Sequence, residues 1–345
     1  MVKLAVTGGA GFLGYHLCRN LKDKFDEIIA IDIAPIEPKE YPRNTRYFNI
    51  DIRNKNALEN AFHGVDCVVH SAAALPLWKK KDIFDTNVEG TRNVLLSAEK
   101  NGINRVVFVS STAVYGLPIK HPIYEDDPLV GVGPYGETKI VAEKICDEFR
   151  KRGMCIPVVR PKTFIGTGRL GVFQILYDWV KSGKKIPIIG NGKNHYQLLE
   201  VDDLVDAIYL TLTLPNEKVN DTFNIGAKEF GTVLEDVGAM CDFSITGSRV
   251  MSVPSWIAKP ILTIFWTLRL SPLYKWVYGT ADTDSFVSIE KAEKILNWKP
   301  KYSNKDALIR SYKWYLEHFE TLGGSGITHR VAWKQGILSL IKKVM

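Results

Sequence analysis

Tyr135 and Lys139 stand four residues apart in Tyr135-Gly136-Glu137-Thr138-Lys139. On a helix that spacing puts a phenol and an ammonium on one face. A phenol is a poor base at neutral pH. A neighbouring cation stabilises the phenolate, lowers the pKa and lets the group exchange protons with a substrate hydroxyl. Tyr-x-x-x-Lys alone equally describes a solvated helix face, so the chemistry needs company. Ser110-Ser111-Thr112 supplies it, because these hydroxyls close an apolar, β-branched run that begins at Val106, at the carboxyl edge of a strand.

A second cluster lies near the start of the chain. Thr7-Gly8-Gly9-Ala10-Gly11-Phe12-Leu13-Gly14 joins an apolar run, 3–7, to a helical-period segment, 12–21. Gly8, Gly11 and Gly14 are spaced G-x-x-G-x-x-G, one residue wider than the dinucleotide fingerprint. The physics is shared: a tight turn, close backbone approach and a helix N-terminus facing a pyrophosphate. Asp32 ends the next apolar run, where a carboxylate accepts hydrogen bonds from an adenosine ribose and repels a 2′-phosphate. NAD is therefore expected rather than NADP. Asp51-Ile52 follows the third run, beside the adenine in this topology; a surface turn explains Asp51 nearly as well.

Groups scattered from residue 7 to residue 139 meet only if the chain between them folds in repeating units. Apolar runs occur at 3–7, 27–32, 47–50, 67–70, 106–110 and 156–160, and helical-period segments at 12–21, 55–62, 85–100 and 135–151. This alternation predicts an α/β fold with a doubly wound parallel sheet of the Rossmann type. Its ligand crevice lies beyond the carboxyl ends of the strands. After Pro161 the rhythm breaks. Helices are expected at 172–182, from Glu200 onward, at 288–296 and at 305–319, with one more strand at 221–225. The expected division is an NAD-binding domain over 1–165, with returning elements near 197–226, and a smaller interleaved substrate-binding domain over 166–196 and 227–322. A Gly323-Gly324-Ser325-Gly326 linker and a basic amphipathic tail complete it over 323–345.

Composition narrows the class. The 345 residues are 46% hydrophobic and 24% charged, enough to bury a sizeable core and too apolar for a disordered chain. The five cysteines, Cys18, Cys67, Cys146, Cys155 and Cys241, are scattered and never paired as C-x-x-C. Neither a disulfide framework nor a metal site is expected. The chain enters its first strand without a charged n-region and apolar h-region, so a cytoplasmic protein is expected. The longest apolar stretch, 256–270, is interrupted by Lys259, Pro260 and Arg269, and falls short of the roughly 20 residues of a spanning helix.

Taken in order, these pieces resemble the extended short-chain dehydrogenase/reductase superfamily, in its NAD-dependent epimerase/dehydratase branch. Further matching segments are His70-Ser71-Ala72-Ala73, Asn87-Val88-Glu89-Gly90-Thr91, Ala113-Val114-Tyr115-Gly116, Arg160-Pro161, Val201-Asp202-Asp203 and Asn297-Trp298-Lys299-Pro300. The resemblance implies that Tyr135 is the acid/base and that Lys139 binds the nicotinamide ribose and tunes Tyr135. It also implies that Ser111, with Thr112 as the neighbouring candidate, hydrogen-bonds the reacting oxygen. Gly8, Gly11, Phe12, Leu13, Gly14, Asp32, Asp51, Ile52, Ala72, Ala73, Asn87, Tyr135, Lys139 and Pro161 would contact or brace the cofactor.

Departures from the family's patterns narrow the reaction. Sugar-nucleotide dehydratases carry an Asp-Glu pair after the catalytic hydroxyl; here Thr112-Ala113 stands there. Epimerases usually show an asparagine after the sixth strand and an arginine before the V-x-D-D turn; Thr163 and Tyr196 hold those places. The substrate candidates are thus Thr112, Thr163, Arg169 and Tyr196. The expectation is a 4-epimerase of a nucleotide-linked or lipid-linked sugar, working through a transient ketone. The alternatives are a dehydrogenase of the 3β-hydroxysteroid or sterol type and a non-catalytic NAD-sensing protein.

Net charge is +7, from 45 Lys and Arg against 38 Asp and Glu. Two segments hold all of the excess. Val250 to Tyr278 contains Lys259, Arg269 and Lys275 with Trp256, Phe265, Trp266, Tyr274 and Trp276, and no acid. The 327–345 tail contains Arg330, Lys334, Lys342 and Lys343 and no acid. In the tail Trp333, Ile337, Leu340, Ile341 and Val344 form one helical stripe, the pattern of an interfacial membrane helix. Packing of the tail on its own domain or on a dimer mate is the alternative. Peripheral contact at the inner face of a membrane and a homodimer are expected. Nucleic acid is not, because no recognition module accompanies the charge.

Overall fold

The computed structural model describes residues 1–76, 78–268, 270, 271, 273, 275–322, 330 and 335–344. The apolar runs become parallel strands, buried on both faces in the middle of the sheet and only partly covered at its edge over 45–49. The strands are β1 (Lys3–Thr7), β2 (Glu27–Asp32), β3 (Thr45–Asn49), β4 (Cys67–His70), β5 (Arg105–Val109) and β6 (Val158–Pro161), then β7 (Thr163–Ile165), β8 (Lys185–Ile189), β9 (Leu198–Glu200), β10 (Thr222–Ile225) and β11 (Arg249–Val253). Seven of them form one sheet in the order β10-β6-β5-β4-β1-β2-β3, every pair parallel. The winding direction reverses between β1 and β4, where Thr7 stands beside His70. That is where a doubly wound sheet opens its crevice.

Side-chain alternation divides each strand between two faces. Leu4 and Val6 join Leu17, Val69, Leu204 and Ile208 on one side, whereas Ala5 joins Ile29, Val68, Leu95 and Phe149 on the other. Helices α1 (Phe12–Asn20) and α7 (Val201–Thr213) cover the first side, and α2 (Lys55–Ala61), α4 (Gly90–Lys100) and α5 (Gly133–Lys151) the second, while α3 (Lys80–Phe84) and α6 (Val172–Lys181) add no residue to either cluster. The helix expected over 85–100 differs in one respect. It starts earlier, as α3, and passes through a π-helical turn at Asp85–Glu89 before α4. Such turns rotate side chains off the helical register; here Asn87 is buried while Thr86 faces the crevice. Lys80 and Lys81 open α3 on the surface, and Lys81 pairs with Asp85.

Beyond Pro161 two small parallel pairs, β7 with β9 and β8 with β11, stand outside the main sheet, while β10 returns to it. The remaining helices are α8 (Asn216–Val219), α9 (Val233–Ser244), α10 (Ser255–Thr267), α11 (Lys275–Gly279), α12 (Glu290–Leu296), α13 (Asn304–His318) and α14 (Leu338–Val344). Helices α6, α9 and α13 build a third cluster around Tyr177, Met240 and Tyr312.

In the tail, Leu338 is buried in that cluster, the Ile337 amide donates to the Leu270 carbonyl (2.9 Å), Lys342 pairs with Asp178 and Arg330 with Glu40. The described part of the tail thus rests on its own chain. Helix α10 does not bury a single residue; Trp256, Ile257, Ile261, Ile264 and Leu268 are exposed. The expectations for Arg269, Tyr274, the 323–326 linker, Trp333 and Lys334 lie outside the described residues, as do the side chains of Lys275 and Trp276. Among the described residues, no helix is long and apolar enough to cross a membrane.

Candidate active site

A cavity of 820 Å³ opens over the switch point. Its floor is the glycine turn. A Cβ on Gly14 would lie 2.1 Å from the Gly8 carbonyl oxygen, so α1 meets the turn only because Gly14 has no side chain. Gly11 caps α1 without a side-chain hydrogen bond, which leaves the first helical amides for a ligand. Gly8, Gly11, Phe12, Leu13 and Gly14 all line the cavity, and this cradle fits a pyrophosphate.

Asp32 lines it too, its carboxylate held by the amides of Ala10 (3.0 Å) and Ala34 (2.9 Å). Burial lifts the Asp32 pKa, and those amides oppose the lift. Asp51 and Ile52 border the same end. Asp51 is gripped by Arg53 (2.6 Å), whose hydrogen bonds hold its carboxyl below the ordinary range. Sequence reading passed over Arg53; the two-residue spacing from Asp51 was its only signal.

Ala72 and Ala73 form the wall after β4. Asn87 does not line the cavity; it sits behind that wall. Its Oδ1 accepts from the Ala74 amide (2.8 Å) and its Nδ2 donates to Thr138 Oγ1 (3.1 Å), which ties the wall to α5. His70 fastens the switch point itself, hydrogen-bonded to Thr7 Oγ1 (2.7 Å) and Thr91 Oγ1 (3.0 Å). Burial, then the charge of Lys139, lowers its pKa to about 3 and keeps the imidazole neutral.

Helix α5 begins at Gly133, with Pro134 in its first turn, and carries the reactive pair. A Cβ on Gly136 would lie 2.6 Å from the Ala113 carbonyl oxygen, so α5 lies directly against the Ser111–Tyr115 turn. Tyr135, Ser111 and Lys139 thereby share the cavity with Thr112 and Pro161. Burial pushes the Tyr135 phenol up to about 12, against the hydrogen bond from Ser111. Lys139 is 2% exposed and donates to the Val109 carbonyl (2.8 Å), and burial lowers its pKa to about 8. It therefore remains mostly charged at neutral pH, 6.0 Å from the Tyr135 ring centroid.

The far side of the cavity holds Thr163, Arg169 and Tyr196. Thr163 Oγ1 and Tyr196 Oη are 3.2 Å apart, and the Arg169 guanidinium lies over the rings of Phe12 (5.2 Å) and Phe164 (5.7 Å). Lys162, Asp236 and Asn304 also line this side. None had a sequence signal, because nothing in an irregular segment says which side chain turns inward. Among the described residues, no cluster of His, Cys, Asp and Glu could hold a metal ion.

Sheet order, glycine cradle and reactive pair define an NAD-dependent enzyme on a Rossmann-type fold. Residues 4–226 match the NAD dependent epimerase/dehydratase family, and the chain belongs to that family. A protein of Sinorhizobium fredii (strain NBRC 101917 / NGR234) described as uncharacterized protein y4nG is 37% identical over 99% of this chain and 86% of its own length. The UDP-glucose 4-epimerase of Halalkalibacterium halodurans is 26% identical over 91% of this chain and 96% of its own. The structure of Thermotoga maritima UDP-glucose 4-epimerase with UDP-glucose matches at TM-score 0.77 and 23% identity, covering 92% of this chain and 100% of the other. At that identity the likeness is one of fold.

Proposed function

We propose that the chain is a 4-epimerase of a nucleotide-linked or lipid-linked sugar. The observation that carries this reading is the meeting of Tyr135, Ser111 and Lys139 on the glycine-cradled cavity, with Thr112-Ala113 after Ser111 and no acid there to eliminate water. In this reading Tyr135 takes the proton of a secondary hydroxyl and later returns it. Ser111 donates to the oxygen as the proton moves, and Lys139 supplies the nearby positive charge. NAD, when bound along Gly8–Gly14 and Asp32, supplies the hydride acceptor and donor. Residues 166–196 and 227–322 enclose the substrate. The curated 4-epimerase relative supports the reaction type.

A time course with a small, catalytic amount of NAD tests it. UDP-glucose should convert to its C4 epimer over many turnovers, followed by NMR, without accumulation of NADH. Stoichiometric NADH would favour the second reading, net oxidation of an amphiphilic alcohol of the 3β-hydroxysteroid type. The apolar wall of Trp78, Phe173, Leu176 and Val237 favours that alternative.

The same proposal includes peripheral membrane contact through α10, whose exposed apolar face lies in a stretch without Asp or Glu. Replacing Trp256, Ile261 and Ile264 by serine should abolish sedimentation with anionic liposomes, and an unchanged bound fraction would remove this part. A homodimer completes the proposal, and light scattering of the purified chain decides it.

A further inference from the structure

Lys162 follows β6 directly. Its amide donates to the Ile225 carbonyl (2.8 Å), which extends the sheet edge by one residue. The side chain is 4% exposed and turns into the substrate side of the cavity beside Thr112, Thr163 and Tyr196. Its Nζ donates to Ser285 Oγ (2.7 Å) and lies 5.2 Å from the Tyr196 ring centroid. Among the described residues, Lys162 makes no ion pair with a carboxylate. Asp236, on the same wall, is engaged by Asn304 (2.7 Å) and the Gly231 amide (3.2 Å).

A buried ammonium without a counter-charge costs several kcal/mol unless something pairs with it. An ammonium has three donors, and Ser285 takes one. Burial lowers the Lys162 pKa to about 7, the mark of a cation whose environment gives no compensation. A methionine or leucine would fill this volume at less cost. The cation has a use if a ligand brings the missing negative charge.

Backbone position says which part of the ligand this is. The preceding carbonyl, that of Pro161, lies 3.4 Å from Thr112 Oγ1, and Thr112 adjoins Ser111. Lys162 thus starts beside the hydroxyls that would face the reacting carbon. The glycine cradle at the α1 N-terminus belongs to the other half of the cavity. We infer that Lys162, with the Ser285 hydroxyl, binds an anionic substituent, a carboxylate in the simplest case, on the ring that carries the reacting hydroxyl. The inference rests on the sugar reading above and makes Lys162 a specificity-determining residue for a sugar acid over a neutral sugar.

UDP-glucuronate and UDP-glucose share their nucleotide and differ in the ring carboxylate, so their comparison isolates it. Calorimetry on the full chain with saturating NAD should give at least about tenfold tighter binding of UDP-glucuronate, the equivalent of one close charge pair. Lys162→Met should erase that preference, weakening UDP-glucuronate by about tenfold more than it changes UDP-glucose. Lys162→Gln, which keeps a donor for Ser285 without the charge, should do the same. Because each variant removes a buried charge, its melting temperature should equal or exceed that of the parent, which controls for folding. Equal affinity for the two ligands in the parent, absence of binding by both, or an equal loss for both in the variants would overturn the inference. Lys162-dependent uronate binding without exchange at C4 would leave this site standing and remove the epimerase reading. C4 exchange of UDP-glucose with no Lys162-dependent preference would do the reverse.

Discussion

Tyr135→Phe should lower turnover at least about 1,000-fold, within the range a general acid/base supplies, while melting temperature and retained NAD stay at the parent's level. The substitution deletes one oxygen and keeps the ring, so the packing of α5 against the Ser111–Tyr115 turn survives. The size of the effect follows from the electrostatics of the free site. Burial has pushed the phenol up to about 12, and the hydrogen bond from Ser111 recovers only part of that. A protonated phenol accepts no proton, so the group works only with positive charge close by. Lys139, charged at neutral pH and 6.0 Å from the ring centroid, is the chain's own source of it. Ser111→Ala should act in the same direction with a smaller loss, since it removes one donor to the same oxygen. Turnover of UDP-glucose, or of whichever sugar nucleotide proves active, gives the measurement. Undiminished turnover in Tyr135→Phe would dismiss Tyr135 as the acid/base.

What the sequence made legible was local. The glycine turn, Asp32 and the Tyr135–Lys139 pair are short motifs whose geometry is set locally, by a turn, a strand end or a single helix, and all of them line the one cavity. Asn87 shows the limit of that reasoning. Its segment carries the resemblance, yet the π-helical turn decides that Thr86 meets the cavity and Asn87 the wall behind it. Strands β7 and β9 span three residues each, and β8 finds its partner β11 only after about sixty intervening residues; neither leaves a periodic signal. The tail's apolar stripe was read by period, yet the structure buries Leu338, outside that stripe, and exposes Leu340 within it, because packing and not period decides which face is covered. Leu338 and Lys342 find their partners on α6 and the cluster around it. Lys162 was invisible for the same reason, because burial of a lone lysine depends on contacts made at long range, here with Ser285.

The second large effect is expected where the mechanism has no reacting group. Arg160→Met should destabilise the fold by about 3–5 kcal/mol, the usual result of stranding one member of a buried ion pair. Arg160 and Glu143 are 5% and 6% exposed, and the guanidinium Nη2 lies 2.6 Å from Glu143 Oε2 with Nε 3.0 Å from Oε1. Burial alone would lower the arginine's pKa; the hydrogen bonds and charge of Glu143 more than reverse it and hold it above its ordinary value. Ser110 donates to the same carboxylate, and Tyr115 Oη accepts from Arg160 (2.7 Å) while donating to Asn224 (2.7 Å). One network therefore joins the ends of β5, β6 and β10 to α5, directly beneath Ser111 and Pro161. With the unfolding entropy usual per residue, a loss of that size lowers the melting temperature of a chain this long by about 4–7 °C. A double variant, Arg160→Met with Glu143→Met, should regain most of it, because the cost lies in the unpaired charge and not in the missing pair. Turnover should fall in both, since the network also sets where Ser111 stands relative to Tyr135. Calorimetric melting of the parent and the two variants checks the stability claim, and a single Arg160→Met that melts with the parent would show that the pair contributes no net stability.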